Sequence, residues 1–266
     1  MDLAAVIFDV DGTLADTERA GHRVAFNAAF AEAGLPWFWD EVLYDDLLRV
    51  TGGKERIRHF CERYAPAFLE GADADADIRR LHAAKTRHYV ALVERGEVPL
   101  RPGVAALLGD LRGHGIRLAI ATTTTPANVT GLLTATLGPE APGWFEVVGA
   151  GDVVAAKKPA PDVYTWVLGR LDLPAAGCLA VEDSGAGLQA AVAAGIPTLV
   201  TPSPPAARDD LSGAAEIRTD LSACTAADLI DLHARATRSE APPTHPGSTE
   251  RRSTSWTSQR GMPTSA

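Results

Sequence analysis

Apolar residues in this chain gather into short runs that stop abruptly at charged or hydroxyl groups. The first is Val6, Ile7 and Phe8, closed by Asp9, Val10, Asp11, Gly12 and Thr13. A continuous apolar segment without alternation predicts a strand buried on both faces, delivering its last residues to the carboxyl edge of a parallel sheet. Leu118 to Ala121, ending in Thr122, predicts a second strand, and Phe145 to Val148 a third. Leu179 to Val181, ending in Glu182 and Asp183, predicts a fourth, and Pro197 to Val200 a fifth. Between them the period lengthens. Val104, Leu107, Leu108 and Leu111 recur at helical spacing and stop at Gly113 and Gly115. Val163, Trp166, Val167 and Leu171 mark another helix, and Leu188, Ala191 and Val192 a further one, capped by Ser184 and stopped by Gly195. Strands alternating with helices imply right-handed crossovers and a parallel α/β sheet.

Two stretches depart from this rhythm. From Asp16 to about Pro99 the pattern is helical throughout. Glu18 to Ala33 carries Val24, Phe26 and Phe30 and closes at Gly34 with Pro36 beyond. Trp37, Phe38 and Trp39 read as the core of a small helical unit. Leu43, Leu47 and Leu48 follow, then a loop from Thr51 through Gly52, Gly53 and Lys54 to Arg56, then Ile57, Phe60, Tyr64 and a last series from Ile78 to Val93. Residues 16–99 are therefore expected to be a helical insertion in a core made of residues 1–15 and 100–236. From Thr237 to Ala266, Ser, Thr, Pro and Arg dominate and only Trp256 and Met262 are large apolar groups. Too little can be buried there to offset ordering entropy, so residues 237–266 are expected to be a disordered tail.

The 266 residues are 46% hydrophobic, enough for a sizeable core. A formal net charge of -9 argues against a nucleic-acid surface. Cys61, Cys178 and Cys224 are odd in number and far apart, which suggests neither disulfides nor a zinc site and fits a reducing cytoplasm. Met1 to Ala5 carries Asp2 and no basic patch, and no apolar run is long enough to cross a bilayer. A cytoplasmic monomer with no membrane partner is expected.

Candidate chemistry lies at the strand ends. In a regular strand Asp9 and Asp11 share a face and repel each other. A hard cation with oxygen ligands, Mg²⁺, would relieve that, taking a carboxylate from one and a backbone carbonyl from the other. One aspartate is then free to attack phosphorus and the other to move a proton. An isolated Asp-x-Asp-Gly is more often a solvated turn, so partners elsewhere must decide. Thr122 could hold a phosphoryl oxygen beside a helix start, Lys158 could offset transition-state charge, and Glu182 with Asp183 could complete a metal site. Taken singly, these are a strand-end threonine, a surface lysine and a helix-start charge pair.

Taken in order, Asp9-Val10-Asp11-Gly12-Thr13, Thr122, Lys158-Pro159 and Glu182-Asp183-Ser184 resemble the four motifs of the haloacid dehalogenase-like hydrolase superfamily, over about residues 1–233. The insertion after the first motif resembles the cap of its beta-phosphoglucomutase-like branch. Asp16-Thr17-Glu18, the run from Thr51 to Arg56, the run from Ala121 to Asn128 and the run from Lys157 to Asp162 are similar to the CbbY proteins associated with the Calvin cycle. The resemblance implies a Rossmann-like core with an inserted cap. It also implies an Mg²⁺-dependent phosphatase that removes the 1-phosphate of xylulose 1,5-bisphosphate, a small phosphorylated sugar. Asp9 is then the nucleophile, Asp11 the general acid/base, and Thr122 and Lys158 hold the phosphoryl group. Asp9, Asp11, Glu182 and Asp183 surround the metal. Glu18, Thr51, Gly52, Gly53, Lys54, Arg56, Lys85, Thr123 and Thr124 bind the rest of the substrate, with Lys54 and Arg56 suited to a second phosphate. A solvated surface lysine is the competing reading of Lys85. A sugar phosphomutase, a phosphoglycolate phosphatase and a non-catalytic binding protein are the competing functions.

Overall fold

The computed structural model describes residues 2–50, 52–204 and 206–239. Six parallel strands form one sheet: β1 Ala5–Phe8, β2 Arg117–Ala121, β3 Phe145–Gly149, β4 Cys178–Glu182, β5 Thr198–Val200 and β6 Glu216–Ile217. Their order is β3-β2-β1-β4-β5-β6. The chain steps outward from β1 to β3 and returns to place β4 on the other side of β1. The strand order therefore reverses between β1 and β4, and it is at the carboxyl ends beside such a reversal that open α/β sheets bind their ligands. Phe8 pairs with Ile120 on one side and Val181 on the other, so Asp9 sits mid-sheet.

All four residues of β1 are fully buried because helices cover both faces. Val6 and Phe8 enter one core with Leu107, Leu108, Leu132 and Leu229, while Ala5 and Ile7 enter the other with Val163, Val167 and Ala190. This two-residue alternation is carried by a sequence with no polar alternation at all. The flanking helices are α5 Val104–Gly113, α6 Pro126–Leu137, α7 Asp162–Leu171, α8 Gly185–Ala193 and α9 Ala226–Ser239. Ser184 caps α8 by accepting from Gly187 N–H, as its position predicts.

The insertion holds α1 Val24–Glu32, preceded by a wider π-helical segment Thr17–Arg23, then α2 Glu41–Leu47, α3 Gly53–Tyr64 and α4 Ala74–Glu94. Phe26, Phe30, Trp39, Tyr44, Ile57 and Phe60 form a core of its own. Trp37 and Trp39 point into it, whereas Phe38 is 69% exposed, contrary to its expected place in the core. Burial alternates along this irregular segment, so Phe38 faces out between its two neighbours. The expected loop from Thr51 to Arg56 is also shorter: α3 starts at Gly53, which puts Lys54 and Arg56 on its first turn. Two glycines hide that start from a reading by periodicity. Thr51 itself lies outside the described residues.

Strand β6 and helices α6 and α9 were not legible from the pattern. Val129, Leu132 and Leu133 of α6 are buried, but threonine and glycine dilute their periodicity. Helix α9 runs to Ser239, past the expected tail start at Thr237, and residues 240–266 lie outside the described residues. Among the described residues no helix is long and apolar enough to cross a membrane. The three cysteines are free and buried.

Candidate active site

Strand β1 stops at Phe8, although Asp9 N–H still donates to Val181 O at 3.0 Å. The chain then coils: Thr13 and Leu14 N–H both return to Val10 O, and Gly12 adopts φ +87°. Asp9 and Asp11 therefore do not share a strand face, contrary to the regular-strand expectation. The turn separates them. Asp9 faces the sheet's polar pocket and Asp11 faces the insertion.

Lys158 organises that pocket. Its ammonium donates to Asp9 Oδ1 at 2.7 Å, Glu182 Oε1 at 2.6 Å and Ala121 O at 2.8 Å, which uses all three protons. Tyr164 OH donates to the same Glu182 oxygen at 2.5 Å. Burial pushes the Lys158 ammonium down, and Asp9 and Glu182 more than reverse it, holding it above its ordinary value. Lys157, the neighbouring residue, does not enter the pocket. It secures the approaching loop by donating to Gly151 O, Asp152 Oδ1 and Val154 O.

Asp9, Glu182 and Asp183 offer oxygens that all lie within 4.8 Å of one another, and all three are buried. Burial pushes the Asp9 carboxyl up, with Glu182 and Asp11 adding to the rise and Lys158 opposing it. Burial likewise drives Asp183 well above the ordinary range, reinforced by Asp9 and Glu182. Three desolvated carboxylates with one ammonium leave an excess of negative charge, which suits an oxygen-liganded divalent cation such as Mg²⁺. The donor set fits. Its cradle is tight, since a Cβ on Gly12 would come 2.1 Å from Asp183 Oδ2. Glu182 faces Lys158 and Tyr164 with one oxygen, so it serves the lysine as much as any cation. The Asp11 carboxylate, named with the metal set from the resemblance, lies outside this cluster.

Asp11 instead meets the insertion. His22 Nε2 stands 3.3 Å from Asp11 Oδ1, without the alignment of a full hydrogen bond. Lys85 Nζ lies 2.9 Å from His22 Nδ1. With Lys85 donating there, His22 carries its proton on Nε2, toward Asp11. Burial pushes the Asp11 carboxyl up, but His22, then Thr17 and Lys85, reverse it to about 2. Burial lowers the Lys85 ammonium to about 8, against the pull of Glu18 and Asp11. Lys85 is thus neither a solvated lysine nor an open substrate contact in this structure; it is buried on His22.

The threonine run divides its labour. Thr122 is buried at the end of β2; its N–H donates to Gly149 O and its hydroxyl accepts from Thr124 N–H at 3.2 Å. Thr124 is buried and accepts from Asn128 Nδ2, Thr125 caps α6, and Thr123 is exposed. Asn128 Oδ1 is buried without a partner. In the insertion, Tyr44 OH donates to Glu18 Oε2 at 2.5 Å and accepts from Arg56 Nη1 at 3.0 Å. Arg56 is buried with its Nε unpartnered, while Lys54 and Gly52 are exposed. Gly53 packs on His82, whose ring a Cβ would approach to 2.7 Å. The structure does not bring Lys54 together with Arg56, although both sit on one helical turn. His22, Tyr44, Asn128 and Tyr164 were missed from the sequence; His22, Tyr44 and Tyr164 meet partners on other elements, while Asn128 meets Thr124 four residues back in a run that gives no apolar period to mark it.

The haloacid dehalogenase-like hydrolase family profile matches residues 3–195. A plasmid-encoded CbbY protein of Cupriavidus necator is 55% identical over 212 residues, which is 80% of this chain and 83% of that one. A crystal structure of CbbY from Rhodobacter sphaeroides in complex with phosphate superposes with a TM-score of 0.73 at 44% identity, covering 83% of this chain and 95% of that one. A mutant of the same protein, solved in complex with xylulose 1,5-bisphosphate, superposes equally well at 43% identity, with the same coverage of both chains.

Proposed function

This chain belongs to the haloacid dehalogenase-like hydrolase family, and on that premise we propose that it is an Mg²⁺-dependent sugar-bisphosphate phosphatase working through an aspartyl phosphate on Asp9. Its substrate is xylulose 1,5-bisphosphate, from which it removes the 1-phosphate; the complex of the related Rhodobacter protein supports that choice. The observation that carries the chemistry is the buried contact of Lys158 with both Asp9 and Glu182, beside Asp183. Residues 16–99 act as the cap and residues 1–15 with 100–236 as the core. Three free cysteines suit a cytoplasmic location.

Asp9 attacks phosphorus, forming the aspartyl phosphate, a mixed anhydride, while the bond from phosphorus to the sugar oxygen breaks. Lys158, anchored by Glu182 and Tyr164, stabilises the charge spreading over the phosphoryl oxygens, and Thr122 steadies them at the end of β2. The departing alkoxide takes a proton from Asp11, which is left as the base that removes one from the water attacking the phosphoenzyme. The nearby His22 lowers the Asp11 carboxyl and so favours that second, ionised form. Bound Mg²⁺, held by Asp9 and Asp183, would supply charge neutralisation of the phosphoryl group. Arg56, set by Tyr44 and Glu18, binds the distal phosphate.

The core treats all phosphoryl groups alike, so discrimination has to come from the cap. A charge-assisted contact to phosphate is worth about 1.5 to 3 kcal/mol, so Arg56→Ala should lower kcat/KM for the bisphosphate about ten- to a hundredfold. An aryl phosphate, lacking the distal group, should be hydrolysed nearly as well as by wild type. Lys54→Ala, being exposed, should show the same contrast more weakly. Equal proportional losses on both substrates would mean that Arg56 supports the cap's packing and does not read the substrate.

A further inference from the structure

The two backbone segments that lead into and out of the insertion lie side by side. Ala15 bridges to Leu100, Asp16 N–H donates to Pro99 O at 3.2 Å, and Arg101 N–H donates to Leu14 O at 2.9 Å. This hinge fixes the Gly12 turn through both of its peptides. Gly12 N–H donates to Ala15 O at 2.9 Å, which orients the Asp11–Gly12 peptide. The Gly12 carbonyl, on the next peptide, accepts from Arg101 Nη1 at 2.5 Å.

The Arg101 guanidinium does more than brace one turn. The same Nη1 reaches Thr201 O at 2.5 Å and Thr201 Oγ1 at 3.1 Å, and Nη2 reaches Pro202 O at 3.2 Å and Thr219 O at 3.3 Å. Each of these acceptors is a carbonyl or a hydroxyl, so the hydrogen bonds hold chain segments in place, while Asp183, Asp16 and Asp220 act on the guanidinium only through its charge. The loop so held carries Ser203, whose N–H donates to Asp183 O at 3.3 Å and whose buried side chain stands beside the Gly12 turn. Gly12 presses on the Asp183 carboxylate from the other side, and a Cβ there would also stand 3.2 Å from Ser203 Cβ. One side chain therefore ties both walls around Asp183 to the hinge of the insertion. A planar fork with several donors suits acceptors on separate segments; an ammonium cannot span them.

We propose that Arg101 is a positioning residue that couples the hinge of the insertion to the cation cradle, holding the Gly12 turn and the Thr201–Ser203 loop against Asp183. This rests on Asp9 and Asp183 being the cation's ligands. Mg²⁺ binding to the substrate-free, full-length protein, measured by calorimetry and by competition with Mn²⁺ in electron paramagnetic resonance, tests it directly. Groups that orient metal ligands change affinity about ten- to a hundredfold when removed, and Arg101→Ala should weaken Mg²⁺ by that amount. Added guanidinium ion, at concentrations that do not unfold the protein, should restore part of the loss. Arg101→Lys keeps the charge but not the fork; it should also bind Mg²⁺ weakly and should not be rescued, and it decides the matter should the alanine variant fail to fold. Affinities within about twofold of wild type in the variants that fold would overturn the proposal, since they fall short of the effect of an orienting group. A loss in Arg101→Ala that guanidinium leaves untouched would overturn it too, as general loosening. Failure of the wild type to bind Mg²⁺ would overturn the cation assignment itself, and the role of Arg101 with it.

Discussion

Replacing Asp9 by Asn should abolish phosphoenzyme formation and lower kcat/KM by at least about a thousandfold, which corresponds to about 4 kcal/mol of transition-state stabilisation. Asparagine keeps the shape and can still accept from Lys158, whose ammonium lies 2.7 Å from Asp9 Oδ1. What it lacks is the charged oxygen that bonds to phosphorus. Acid quench during turnover, followed by mass spectrometry of the peptide containing residue 9, reads the phosphoryl increment on wild type and its absence on the variant. Asp11→Asn should behave differently, still forming the phosphoenzyme from an activated aryl phosphate while failing with a sugar alkoxide, which needs the proton. A phosphorylated peptide elsewhere in the chain, or turnover by Asp9→Asn close to wild type, would remove Asp9 as nucleophile.

Lys158→Met should be the most destabilising of the conservative-volume changes in the site. Taking one partner from a buried ionic cluster leaves uncompensated charge and costs about 3 to 5 kcal/mol. Asp9 and Glu182 would both lose the ammonium that lies within 2.7 Å of each. The deficit should depend on pH in a definite direction. Burial already raises Asp9 from 3.8 to about 7 against the pull of Lys158, and removing that pull raises it further. Over the interval from the unfolded to the folded value, the folded variant binds more protons than the unfolded chain, so its stability falls as pH rises. Urea unfolding in chelator at pH 5 and pH 8 should therefore show the larger loss, relative to wild type, at pH 8. A deficit equal at both values, or larger at pH 5, would mean that the loss comes from packing and not from charge.

Much of the sheet was legible because buried parallel strands write themselves as continuous apolar runs, and the residue that ends each run is the residue at the carboxyl edge. Asp9, Thr122, Glu182 and Asp183 were found that way, and Lys158 by its place in the series. The partners that tune them were hidden. His22 faces Asp11 from a helix that reads, by periodicity, as ordinary insertion, and Lys85 reaches His22 across 63 residues of sequence. Tyr164 sits among the buried positions of α7, where Val163 and Val167 account for the pattern without it. Arg101 reads as turn punctuation before Pro102 and Gly103, yet its side-chain contacts span three separate stretches of chain. The start of α3 was lost because Gly52 and Gly53 suggest a loop, while the buried Arg56 and Ile57 follow at once. Local pattern shows which face of an element is buried; which polar atoms meet there is decided by the crossing of elements.

The claim that this chain is a sugar-bisphosphate phosphatase is tested most directly by phosphate release from a panel of phosphorylated sugars. The purified protein is assayed with Mg²⁺ against xylulose 1,5-bisphosphate, other pentulose and hexose phosphates, phosphoglycolate and an aryl phosphate, with chelator as control. Xylulose 1,5-bisphosphate should be hydrolysed with the highest kcat/KM, yielding inorganic phosphate and the 5-phosphate in equal amounts, and chelator should stop the reaction until Mg²⁺ is restored. The claim is contradicted if the bisphosphate reacts no faster than the aryl phosphate, or if phosphoryl groups move within the sugar with none released.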